Sequence, residues 1–128
     1  MKITLLTLPP SGSVYSRLHF GAKARLRKRF GWTFRMEAQL CGFDSRPKEQ
    51  IGKVRLGIKV FRAGRRYDPD NAVSGLKPLF DGMRDAGYLR NDSPVWLELK
   101  PWPEQVKCDA DSERVEIEYT EIEHEKEK

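Results

Sequence analysis

Between Lys53 and Phe61 the apolar residues Val54, Leu56, Ile58 and Val60 fall at every second position, with Lys53, Arg55, Gly57 and Lys59 between them. A period of two marks a strand with one face in a core and the other outside. The chain must therefore build a sheet with a covered side, and the outer face of this strand is basic. Arg114 to Ile122 repeats the pattern at Val115, Ile117 and Tyr119, and Ile3 to Leu8 and Val95 to Leu99 read as two further strands. Elsewhere the period changes. Leu18, Ala22, Leu26, Phe30, Phe34 and Ala38 recur every four residues, the apolar stripe of a helix running from about Ser16 to Leu40. Gly31 is expected to weaken its middle. A second helix buries Val73, Leu76, Phe80 and Met83 and ends at Ala86-Gly87, where Gly87 suits a C-terminal cap. Pro78 conflicts with a helix interior, so the regular part is expected to begin near Gly75 or to kink. The order β-α-β-α-β-β predicts an α+β fold: one domain over residues 1–128, a small mixed sheet packed against helices, and a charged tail at 122–128 that frays.

Composition narrows the function classes. A chain of 128 residues fits one domain, large enough to bury about two thirds of its unfolded surface without a disulfide or structural metal. No apolar run approaches the roughly 20 residues of a membrane span, and Met1 to Pro10 lacks the cleavage pattern of a signal peptide. Cys41 and Cys108, far apart and without a partner motif, read as free thiols of a reducing cytoplasm. Only two histidines occur, which excludes a Cys/His zinc cluster and catalysis by paired histidines. His19 is expected to be structural and His124 solvated. Trp32, Trp96 and Trp102 are read as packing residues rather than base-stacking platforms.

The net charge of +5 is unevenly spread. Residues 1–66 hold 16 Lys and Arg against 3 Asp and Glu, a balance of +13; residues 67–128 hold 8 against 16, a balance of −8. The first half suits a polyanionic partner. Arg25, Lys28 and Arg29 on the first helix, with Arg65 and Arg66 before the acidic motif, are the candidate contacts to it.

The acidic half carries the candidate chemistry. Asp68 precedes Pro69 and is pushed toward an extended backbone, where Asp68 and Asp70 would face one side together. Two close carboxylates repel each other unless a cation lies between them. The plainer reading of Asp68-Pro69-Asp70-Asn71 is an ordinary turn, with Asp70 or Asn71 as an ordinary helix cap. Asp92 lies past the second helix, and spacing alone does not bring it to the other two.

Taken in order, Asp68-Pro69-Asp70-Asn71, Leu76-Lys77, Phe80-Asp81-Gly82, Asp85-Ala86-Gly87-Tyr88-Leu89 and Asn91-Asp92 resemble the core of the RusA family of Holliday-junction resolvases, over roughly residues 62–95. Leu8-Pro9-Pro10-Ser11 with Tyr15 is similar to that family's opening. The resemblance implies a homodimer that cuts four-way DNA junctions, with Asp68, Asp70 and Asp92 as catalytic acids holding Mg2+ (Mn2+ as a substitute) and Lys77 near the scissile phosphate. Two departures stand out. Family members often place the lysine about four residues after the second Asp, whereas Lys77 lies seven after Asp70 and is followed by Pro78. Asn91-Asp92 stands where two Asp are common. Asp81 is read as an ion-pair partner of Lys77 one turn away. Competing readings are a nuclease acting on flaps or forks, a non-catalytic basic DNA-binding module, and an RNA-binding protein.

Overall fold

β2 (Lys53–Arg62) is the central strand, and its buried positions are those the alternation marks, with Val54, Leu56, Ile58 and Val60 all inside. The computed structural model describes residues 1–122, so the charged tail from 123 onward, with His124, lies outside the described residues. β5 (Arg114–Ile122) runs antiparallel beside β2, Ile117 opposite Ile58, and β1 (Lys2–Leu5) runs antiparallel on the far side of β5. The other edge of β2 is shared. β3 (Leu97–Leu99) pairs parallel with Val54–Leu56, and β4 (Glu104–Lys107) pairs parallel with Lys59–Arg62. The sheet is mixed, as expected, but has five strands among the described residues. β4 was not expected; β1 stops at Leu5 and β3 starts only at Leu97.

Both expected helices are broken. The first divides into α1 (Gly12–Arg17) and α2 (Phe20–Leu40), because Leu18 and His19 take extended backbone. His19 is structural: its Nδ1 accepts the Gly21 N–H at 3.3 Å as the cap of α2. The stripe holds best where α2 crosses the sheet. Phe30, Phe34 and Ala38 are fully buried, while Leu18, Ala22 and Leu26 are only partly so. The second divides into α3 (Pro69–Ser74) and α4 (Lys77–Ala86), with Pro78 in the first turn of α4, where no intrahelical bond is lost. Gly87 ends α4 at φ 90°, in the left-handed region that favours glycine.

The helices cover one face of the sheet. Where α2 crosses α4, Gly31 meets Gly82: a Cβ on Gly31 would lie 2.6 Å from the Gly82 carbonyl oxygen, and one on Gly82 would lie 2.6 Å from the Arg27 carbonyl oxygen. The helix runs unbroken through Gly31, which is the contact point of two backbones. Beneath the crossing, Phe34, Phe43, Tyr88 and Tyr119 form an aromatic cluster with ring centroids 5.3–6.4 Å apart. The Tyr119 hydroxyl donates to the Tyr88 carbonyl at 2.6 Å and the Tyr88 hydroxyl to the Phe43 carbonyl at 2.9 Å. Burial pushes both phenols above their usual range, Tyr119 furthest.

Candidate functional site

The motif turn lies where β2 runs out. Arg62, buried at the end of the strand, donates to the Pro9 carbonyl at 2.7 Å and lies 4.1 Å over the Tyr67 ring; burial lowers its pKa. Gln105 of β4 grips the Tyr67 backbone from both sides, accepting its N–H at 2.8 Å and donating to its carbonyl at 2.7 Å. Between these two anchors, Arg65 and Arg66 are exposed. Sequence reasoning passed over both Arg62 and Gln105. An arginine at an in-facing position of β2 was the available signal for the first; nothing in Glu-Gln-Val-Lys announced the second.

The turn then enters α3. Asp68 is its N-cap: one carboxylate oxygen accepts the Asn71 N–H at 2.9 Å, the other the Asn71 side-chain amide at 3.3 Å. The helix cap expected at Asp70 or Asn71 therefore falls at Asp68 instead. Asp70 is not in an extended segment beside it but in the first helical turn, exposed, with no hydrogen bond or ion pair to its carboxylate among the described residues. The reason is Pro69, which suits the first helical position and starts the helix two residues earlier than an extended segment through Asp70 requires.

Asp92 lies at the other end of the sheet. Just after it, the Ser93 carbonyl accepts the Trp96 and Leu97 N–H groups, both at 2.9 Å, which holds Asp92 beside the start of β3. Leu97 pairs with Val54, whereas the Gln105 that grips Tyr67 pairs with Val60. Six residues of β2, about 20 Å of strand, separate those levels. Consistent with this, the described residues contain no group of three or more His, Cys, Asp or Glu placed to hold a metal ion. One chain brings Asp68 and Asp70 into the same turn and leaves Asp92 apart.

Lys77 opens α4. Its Nζ lies 3.5 Å from the Asp81 carboxylate, the expected ion pair, and Arg84 approaches the other oxygen of Asp81 at 3.5 Å. Asp81 is only 4% exposed. The break at Gly75-Leu76 means that Lys77 and Asp70 are not two turns apart on one continuous helix.

Of the candidate DNA contacts, Arg25, Lys28 and Arg29 are all exposed on α2. Lys28 faces a groove of about 940 Å³ between α2 and α4, lined also by Arg27, Arg35, Lys77 and Arg84 and by the aromatic rings of Tyr15, Phe20 and Trp32. Trp32 and Trp102 are 65% and 62% exposed, so neither is the packing residue expected. Trp96 is half-buried, with the Arg90 guanidinium 4.2 Å over its ring. Cys41 and Cys108 are free. No helix among the described residues is long and apolar enough to cross a membrane. Compared with protein-family models and with curated proteins, the chain matches none.

Proposed function

We propose that this chain is a magnesium-dependent endonuclease that cuts four-way DNA junctions as a twofold dimer, in DNA recombination and repair. The observation that carries this reading is the motif turn itself: exposed Asp68 and Asp70, flanked by exposed Arg65 and Arg66, at the end of the central strand. Asp70 has no cationic partner among the described residues.

Asp68 and Asp70 suit magnesium as a pair of hard oxygen donors. Asp70 is uncommitted among the described residues, and each Asp68 oxygen keeps a lone pair beyond its bond to Asn71. One or two carboxylates, with waters and a substrate phosphate, are what magnesium ordinarily takes. When bound, the ion supplies an activated water and offsets charge at phosphorus. Arg65 and Arg66 would hold the phosphates on either side. A junction has approximate twofold symmetry, which a twofold dimer with one site per subunit answers. Asp92, held beside the start of β3, would join the ion from a second chain.

The test is cleavage of a synthetic four-way junction in magnesium or manganese by wild type and Asp70→Asn, with binding measured alongside. Wild type is expected to cut and Asp70→Asn to bind without cutting. Mixing Asp70→Asn with Asp92→Asn is expected to restore some cutting, since one site of the mixed dimer regains both acids. An inactive wild type overturns the assignment.

A second reading, a non-catalytic basic DNA-binding module, is favoured by the use of Asp68 as a helix cap. It predicts that Asp70→Asn leaves every DNA activity unchanged.

A further inference from the structure

The groove between α2 and α4 has more than charge. Six cationic side chains line it, Lys23, Arg27, Lys28, Arg35, Lys77 and Arg84, against two carboxylates. Both carboxylates are already engaged: Asp85 accepts from Arg27 at 2.8 Å, and Asp81 lies between Lys77 and Arg84. Among the described residues the groove therefore carries a surplus of four positive charges. Its rim carries flat rings. Phe20 is 78% exposed and Trp32 65%, both on α2, with about 18 Å of helix between them. Tyr15 lies at one end, with the Lys23 ammonium 5.3 Å from its ring.

We propose that this groove binds an unpaired DNA strand, its bases stacked on Trp32 and Phe20 and its phosphates held by Lys23, Lys28 and Arg35. Cations interleaved with exposed aromatic faces are what single strands require, because unstacked bases offer ring faces that duplex DNA keeps covered. A second copy of the chain fits poorly, since a twofold contact would set the surplus charge against itself. An acidic peptide would satisfy the charge but gives no use for two widely spaced ring faces. The inference rests on the reading of the chain as a DNA-binding protein and deepens it, because a junction whose arms are opened exposes unpaired bases. It does not depend on cutting.

The experiment measures fluorescence anisotropy of a labelled oligo(dT) of about a dozen nucleotides, and of a duplex of equal length, in EDTA so that no cleavage occurs. Trp32→Ala is expected to weaken single-strand binding by about tenfold or more, the loss of one stacked base, with Trp32→Phe retaining most of it. Duplex affinity should change little. Lys28→Ala with Arg35→Ala is expected to reduce the single-strand salt slope by about 1.4, two phosphates' worth. Unchanged single-strand affinity in Trp32→Ala overturns the proposal. So does a wild-type dimer that Trp32→Ala turns into monomers without loss of oligo(dT) binding, since the groove is then an interface. A protein that cuts junctions in magnesium but ignores oligo(dT) overturns this inference alone. One that binds oligo(dT) through Trp32 but never cuts supports it and removes the nuclease reading.

Discussion

Asp85 shows how much one exposed ion pair contributes in this fold. Arg27 donates to its carboxylate at 2.8 Å and, by that hydrogen bond first, holds its pKa below the usual carboxylate range. A carboxyl group whose folded pKa lies below its unfolded value favours the folded state at any pH above that unfolded value, near 3.9. The contribution disappears as the pH falls through the folded value. Both side chains are more than a third exposed, so solvent keeps the pair within the range of about 0.2–1 kcal/mol found for surface pairs. Asp85→Asn is expected to lower stability at pH 7 by about 0.5 kcal/mol and to match wild type near pH 2. Urea midpoints at the two pH values check this; an equal difference at both would show that the charge of Asp85 is not what matters. Asp85 also belongs to the segment that resembles the resolvase core, and here its visible work is to tie α4 to α2.

The helix crossing is the element on which the α layer turns. Gly82→Ala is a sharp test because two effects oppose each other. Alanine improves an exposed or uncrowded helix position by about 1 kcal/mol over glycine. At Gly82 the new Cβ would meet the Arg27 carbonyl oxygen and the Gly31 nitrogen, each at 2.6 Å. These are backbone atoms, so the helices must part, and overpacking costs about 1–3 kcal/mol. The expected net result is destabilisation by about 1–2 kcal/mol, or roughly 3–8 °C in melting temperature; a stabilised variant would mean that the crossing is looser than described. What the sequence made legible at this scale follows the same logic. Alternation in β2 and β5 and the cap at Gly87 are local properties, and they could be read. β4 could not, because Glu104–Lys107 becomes a strand only by pairing with the free half of the β2 edge. The stripe ran unbroken through Leu18, since side-chain spacing does not register two extended residues. The separation of Asp92 from Asp68 was legible in principle. In a parallel β-α-β unit the first strand exits at one end of the sheet and the second enters at the other, and β2 and β3 are such a pair.

Across the whole molecule, the charge asymmetry of the sequence becomes an asymmetry of faces. On the open side of the sheet cations and acids alternate and neutralise one another. Glu98 accepts from Arg55 at 2.9 Å and lies 3.9 Å from Lys53, and Glu116 accepts from Arg114 at 2.8 Å. On α2 the exposed Arg25, Lys28 and Arg29 form no ion pair among the described residues. A polyanion should therefore meet the helix layer and not the sheet, although both carry lysine and arginine. Counterion release makes the difference measurable, since each phosphate neutralised on duplex DNA contributes about 0.9 to the slope of log affinity against log salt. Arg25→Gln, Lys28→Gln and Arg29→Gln together are expected to reduce that slope by up to about 2.7. Lys2→Gln, Lys53→Gln and Lys59→Gln remove the same charge from the sheet face and should leave the slope nearly unchanged, because those cations sit among glutamates. Binding titrations of one duplex at several salt concentrations compare the two triple variants directly. Equal reductions in both would mean that only net charge attracts the DNA, and that the protein has no preferred face for it.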